Sequence, residues 1–191
     1  MIEVLTNEYR LLSLPADAES VELDMGCGKG KFTLELAQRY PKRLVLASDV
    51  MLGRLRRIKQ KVLHQKIPNV RLLRAESAQL VRFQLPWRSV DRIHILCPDP
   101  WPKEDKRPLR RLVSTQFLCT LPRVLKPGGT LHLSTDHQPY FEAWQEMLAK
   151  LPFFTPDPGA IADVRDLKTD FELQWEAQGK SVGHLAFRLG N

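Results

Sequence analysis

Val21-Glu22-Leu23-Asp24-Met25-Gly26-Cys27-Gly28-Lys29-Gly30 runs from an apolar strand straight into a glycine turn. The alternation predicts a strand over 21–25. Gly26, Gly28 and Gly30 lack a Cβ, so the backbone there can turn tightly and approach a ligand closely. A helix is predicted over 31–40, with Phe32, Leu34, Leu36 and Ala37 as its apolar face, stopped by Pro41. Strand, glycine turn and helix in that order open a parallel α/β sheet. The GxGxG spacing differs from the dinucleotide GxGxxG. Taken alone, the turn suits a ligand loop or simply a sharp strand–helix connection.

Working outward, short apolar runs predict strands over 44–48, 70–74, 91–97 and 130–134. Helices are predicted over 51–65, 112–125 and 141–151. Lys126-Pro127-Gly128-Gly129 reads as a helix stop, since proline and glycine cannot continue it. Residues 152–158 read as a loop. Residues 170–175 and 184–189, around Gly179 and Gly183, read as an antiparallel hairpin. The expected fold class is therefore α/β: a seven-stranded, mostly parallel sheet with a C-terminal antiparallel hairpin. One domain over 1–191 is expected, with 1–19 as an N-terminal extension.

The chain has 191 residues, 43% of them hydrophobic, and a formal net charge of +7. That composition suits a folded core and favours an anionic partner such as nucleic acid. Cys27, Cys97 and Cys119 form no CxxC pair, and the histidines show no ligand spacing, so no metal and no disulfide framework are expected. A reducing, cytoplasmic setting fits. The first residues lack a basic start followed by a long apolar run. No window is apolar enough to span a bilayer, so no membrane partner is expected.

Ligands of such sheets sit outside the carboxyl ends of the strands. Those ends carry Asp24, Asp49, Glu76, Asp99 and Asp136. Asp49 lies where an acid accepts hydrogen bonds from ribose hydroxyls, a geometry that nicotinamide cofactors share. Glu76 falls where an adenine would lie, or is a surface acid. Asp24 either meets a cofactor's ammonium or braces the loop. Pro98-Asp99-Pro100-Trp101 is the most specific segment: two prolines stiffen the backbone while a carboxylate and an aromatic ring project from it. Lys103, Lys106, Arg107, Arg110 and Arg111 follow, a basic run suited to phosphate contacts or to a solvated loop. Cys97 could be a nucleophile. It ends an apolar strand with no base nearby in sequence, so a buried strand cysteine is the expectation.

With these motifs the chain resembles the bacterial tRNA (guanine-N7)-methyltransferase family. The matching pieces are 24–30, 69–74, 98–103, 110–113, Thr135-Asp136 and 169–172, which together span most of the chain. Pro-Asp-Pro-Trp-Pro-Lys and the tail Thr-x-Phe-Glu are the specific ones. The resemblance implies a Rossmann-like class I fold, S-adenosylmethionine as cofactor and a tRNA variable-loop guanosine as acceptor, with the protein a monomer or homodimer. It places the cofactor on Asp24, Asp49, Glu76 and Asp99, beside the loop glycines Gly26, Gly28 and Gly30 that many methyltransferases share. It places the substrate on Lys103, Asp136, Thr169, Asp170, Phe171 and Glu172, with Asp99 as the catalytic position; the basic run itself suggests RNA contacts at Lys106, Arg107, Arg110 and Arg111.

The chain departs from the family pattern at several points. Aspartate stands for glutamate at Asp24 and Asp49, and glutamate for aspartate at Glu76. Gln174 replaces the usual arginine two residues after Glu172, and the stretch Glu104-Asp105-Lys106-Arg107-Pro108 is one residue longer. Two other readings stay open at this point: a class I methyltransferase acting on another substrate, and a catalytically decayed RNA-binding relative.

Overall fold

The computed structural model describes residues 1–6, 9–99 and 112–190. In chain order the elements are β1 (Ile2–Val4), β2 (Ser20–Met25), α1 (Lys31–Arg39), β3 (Arg43–Asp49), α2 (Leu52–His64) and β4 (Val70–Arg74). Next come α3 (Ser77–Gln79), running into a π-helical turn at Leu80–Gln84, then β5 (Val90–Leu96), α4 (Thr115–Leu118) and β6 (Leu125–Thr135). The rest is α5 (Gln138–Ala149), β7 (Phe154–Pro156), α6 (Asp170–Glu176) and β8 (Gly183–Leu189).

The sheet has eight strands in the order β1-β4-β3-β2-β5-β6-β8-β7. Its pairs are parallel from β1 through β6, and β8 runs antiparallel to both β6 and β7. From β2 the chain winds one way to β3 and β4 and the other way to β5 and β6. That reversal opens a crevice at the carboxyl ends of β2 and β5.

Alternation along the strands sorts the two faces of the sheet. Val21, Leu23, Leu44, Leu46, Ile93, Ile95, Leu131 and Leu133 belong to the larger apolar core. Val45, Ala47, Leu72 and Ala186 belong to the second core, with Phe32 and Leu36 of α1 and Leu55 and Ile58 of α2. The second face also buries a polar row: Glu22, Asp24, His94 and His132.

The α/β class and the mostly parallel sheet are as expected, and four details differ. First, 170–175 is helical rather than the first strand of a hairpin. Thr169 caps α6 by accepting from the Glu172 N–H, and Asp170 and Glu172 put acid in its first turn. The antiparallel partner of β8 at the edge is β7, from the stretch expected to be a loop.

Second, 112–125 does not form one helix. Ser114 caps the short α4, and Pro122 opens a separate 3-10 turn at Leu121–Arg123, as proline does when it cannot donate inside a helix. Third, Lys126 through Gly129 lie within β6, with a register shift opposite Val90 and Arg92 and Gly128 at φ 73°. Fourth, β1 adds an eighth strand by pairing Ile2 with Leu72.

Candidate functional site

Gly26, Gly28 and Gly30 all have positive φ, at 77°, 57° and 82°. A Cβ on Gly26 would meet nothing within 4 Å and so faces open space, whereas one on Gly28 would touch the Gly26 carbonyl oxygen and Phe171, each at 3.9 Å. Gly30 differs. A Cβ there would lie 2.6 Å from Ile58 Cγ1, so this glycine lets α2 pack against the start of α1.

Five amides of the loop and the start of α1 are engaged by protein acceptors. The N–H groups of Gly26 and Cys27 both donate to the Ser48 carbonyl at 2.9 Å, and that of Gly30 donates to the Cys27 carbonyl at 2.9 Å. The Gly28 N–H donates to Asp49 Oδ2 at 3.2 Å, and the Lys31 N–H to Asp170 Oδ2 at 3.4 Å. A pyrophosphate seated on such a loop needs those donors free. This loop therefore suits a nucleoside that carries no phosphate at that point.

Asp49 is nearly buried, and its carboxylate also accepts from the Met51 N–H at 2.7 Å and from Arg54 at 3.3 Å. Asp24 is buried beneath the loop and accepts from the Thr33 hydroxyl. Burial pushes its carboxyl up to about 7, with the Asp49 charge adding to the shift and the Thr33 hydrogen bond opposing it. Glu76 is exposed and caps α3, accepting from the Ala78 and Gln79 N–H groups at 3.0 and 2.8 Å. Its neighbours Ala75 and Ser77, rather than Glu76 itself, line the cavity.

The crevice at the β2–β5 switch brings Gly26, Gly28, Asp49, Asp99 and Phe171 around one cavity, with Arg54 at its side. A second crevice beside it gathers Asp24, Gly26, Gly28, Thr169, Asp170 and Phe171. The tail residues thus reach the glycine loop from far away in sequence. Asp136 follows the end of β6, half-buried, and lines neither crevice. Gly30 also lies outside both linings. Glu172 is buried in the first turn of α6, and its Oε2 has no hydrogen-bond partner among the described residues.

Cys97 follows β5 at φ 47° and turns the chain toward Pro98 and Asp99. Burial pushes its thiol up to about 11, against hydrogen bonds to Ser134 and Thr169. A thiol held that high is a poor nucleophile near neutrality. Cys97 is half-buried and follows the strand, rather than lying buried within it as expected.

Pro100, Trp101, Lys103, Lys106, Arg107, Arg110 and Arg111 lie outside the described residues. Sequence reasoning did not assign Arg54 to the site, nor the cationic ridge that leads away from it. Arg54, Arg57 and Lys61 repeat at helical spacing on α2, with Arg57 and Lys61 exposed. The helical period of 52–64 was enough to group them. Their position beside the cavity follows from the β3–α2 turn, which no local pattern reveals.

The family model described as "Putative methyltransferase" matches residues 18–185. The chain is 33% identical over 167 residues to the tRNA (guanine-N(7)-)-methyltransferase of Neisseria meningitidis serogroup A, covering 87% of this chain and 69% of that one. It is 31% identical over 162 residues to the protein of the same name from Thermotoga maritima, covering 85% of this chain but only 51% of that one. This chain thus spans about half the length of the Thermotoga relative. Among solved structures, the 16S rRNA methyltransferase KamB superposes with a TM-score of 0.67 at 20% identity, over 92% of this chain and 90% of that one. At that identity the likeness concerns the fold.

Proposed function

The chain belongs to the tRNA (guanine-N7)-methyltransferase family, and on that premise we propose that it transfers the methyl group of S-adenosylmethionine to N7 of a guanosine in the variable loop of tRNA. The observation that carries the cofactor half is the glycine loop. The N–H groups of Gly26, Cys27, Gly28, Gly30 and Lys31 are turned onto Ser48, Cys27, Asp49 and Asp170, and Asp24 and Asp170 line the crevice beside the loop together with Lys29 and Lys31. Amides already engaged in this way, beside the Asp24 and Asp49 carboxyl groups, fit a nucleoside that brings no phosphate to the loop.

In this reading Asp49 meets the ribose hydroxyls, and Asp24 meets the ammonium of the methionine part. The stretch from Ala75 to Ser77, ordered by the Glu76 cap, forms the adenine end. When bound, the cofactor supplies an electrophilic methyl group on its sulfonium. The protein's own task is then to orient the acceptor. Guanine N7 carries a lone pair on the Hoogsteen edge and needs no deprotonation, so no general base is required. The methylated ring is cationic, and the carboxylates of Asp99 and Asp136 orient the base and stabilise the charge that develops, with the Glu172 carboxyl group helping to orient the base.

Thr169, Asp170, Phe171 and Lys103 complete the acceptor side, and Phe171 offers a ring face next to Gly28. Lys106, Arg107, Arg110, Arg111 and the α2 ridge contact tRNA phosphates. A target base held this way is taken out of its stack. No described helix is long and apolar enough to cross a membrane, and the setting that suits this substrate is the cytoplasm.

Two measurements test the proposal together. Calorimetry with S-adenosylmethionine and with NAD separates the cofactors: binding of the first and not the second is expected. Profiling of methyl acceptors against unmodified tRNA, ribosomal RNA and small amines tests the substrate, with tRNA the expected acceptor. Absence of S-adenosylmethionine binding would leave a decayed RNA-binding relative as the better account.

A further inference from the structure

A buried chain of hydrogen bonds crosses the sheet beneath the proposed site. Glu22 Oε2 lies 2.9 Å from His94 Nε2, and His94 Nδ1 lies 3.0 Å from His132 Nδ1. His132 Nε2 lies 2.9 Å from His184 Nδ1, and His184 Nε2 lies 2.9 Å from Glu172 Oε1. His94 and His132 are 0% exposed, Glu22 2% and Glu172 1%. The His184 side chain is 3% exposed. The rings share one face of β5, β6 and β8, and Phe32 of α1 packs edge-on against His94 at 4.8 Å. They form a line rather than converge, and among the described residues no such cluster could hold a metal ion.

Counting protons defines what this chain can do. The four contacts need four protons between them, and three neutral imidazoles supply three. The fourth is a carboxylic acid proton at one end or a second proton on one ring. Arg43 donates to Glu22 Oε1 at 2.7 Å and Arg92 lies 3.7 Å from Oε2, with Asp163 bound to both arginines. Burial raises the Glu22 carboxyl, but the His94 hydrogen bond and these charges outweigh it and hold Glu22 down at about 2. Burial also lowers His94 and His132, the latter well below the ordinary imidazole range.

The polarity is thereby fixed from the Glu22 end. His94 donates through Nε2, His132 through Nδ1 and His184 through Nδ1. His184 Nε2 then faces Glu172 across a contact that holds the fourth proton.

We propose that Glu22, His94, His132 and His184 form a proton relay that sets the protonation of Glu172, making them positioning residues for a carboxyl group of the acceptor site. Moving one proton from Glu172 to Glu22 reverses all four contacts: each ring takes a proton on one nitrogen and gives one from the other. No other reactant is consumed. Arg165 lies 3.9 Å from Glu172 Oε1, and Asp170 stands in the same helical turn. The assignment of Glu172 to the acceptor rests on the proposed function. The relay does not.

The test uses the whole chain, labelled with 15N-histidine and read by long-range 1H–15N correlation, without cofactor or tRNA. In the unmodified protein, protons are expected on His94 Nε2, His132 Nδ1 and His184 Nδ1. Glu22→Gln should reverse this. The amide oxygen stays with Arg43, the NH2 group faces His94, and His184 becomes bare at Nδ1 and protonated at Nε2. The pH profile of methyl transfer should then change shape, where a merely structural residue would scale it uniformly.

A His184 tautomer unaffected by Glu22→Gln would overturn the relay. So would any other tautomer pattern in the unmodified protein, which decides the matter even if the variant does not fold. Because the spectra need no substrate, a failed relay and a failed functional assignment are distinguishable.

Discussion

The Gly28 N–H donates to the Oδ2 of Asp49 across 3.2 Å, tying the turn after β2 to the end of β3. One carboxylate thus shapes the loop and presents its remaining lone pairs to the cavity. Asp49→Asn places a donor among the Gly28, Met51 and Arg54 donors. The expected outcome is a loss of about 1.5–3 kcal/mol in S-adenosylmethionine binding by calorimetry, roughly ten- to a hundredfold in Kd. Unchanged affinity would remove Asp49 from the cofactor site.

Asp24 makes binding depend on pH. Its carboxyl stands near 7 in the folded protein, against 3.8 for the free group. Between those values the folded state holds a proton that the unfolded state releases, so this residue's contribution to stability falls as pH rises from about 4 to about 7. Glu22 acts in the opposite sense: its depressed carboxyl contributes stability above 4.5 that is lost as pH falls toward 2. A cofactor ammonium pairs with ionised Asp24, so S-adenosylmethionine affinity should rise between about pH 5.5 and pH 7.5. Asp24→Asn should flatten that dependence, and an unaltered slope would place the ammonium elsewhere.

Gly30→Ala strains the backbone at φ 82° and drives a Cβ to 2.6 Å from Ile58 Cγ1. The predicted loss of stability is about 2–4 kcal/mol. Gly53→Ala is the control: its Cβ meets nothing within 4 Å. On propensity it should be neutral to about 1 kcal/mol stabilising. Urea denaturation of the two variants checks both values.

The α2 ridge predicts a salt effect. Replacing Arg57 and Lys61 together by glutamine removes two exposed cations from one face of the helix. Binding to tRNA should weaken, and the slope of log K against log salt should shrink by about 1–2. A slope that does not move would take the ridge out of the RNA interface.

The sequence made the sheet's direction legible because β2 to β6 are apolar runs with an acid at or within a few residues of the carboxyl end, whereas the three-residue β1 carries no such mark. The tail was misread for a physical reason. Phe171, Leu173 and Trp175 alternate as a strand does, but Thr169 and Glu172 stand three apart, the spacing of a helix cap and its first turn, and the cap prevailed. The glycines were legible as a group, whereas Gly30's separate packing role depends on Ile58 of another helix. The histidine row was half legible. His94 and His132 sit at alternating positions within apolar strands, but only the pairing of β5 with β6, and of β6 with β8, aligns them with His184. Long-range pairing of that kind has no local signature.

The most direct test of the central claim is the identity of the methylated atom. The purified protein is incubated with labelled S-adenosylmethionine and unmodified tRNA, and the labelled nucleoside is mapped by chain scission at 7-methylguanosine and by mass spectrometry. The account predicts label on N7 of one variable-loop guanosine, with Asp99→Ala reducing turnover by about a hundredfold or more. Label on a carbon or on another nitrogen would contradict it, as would undiminished turnover without the Asp99 carboxylate.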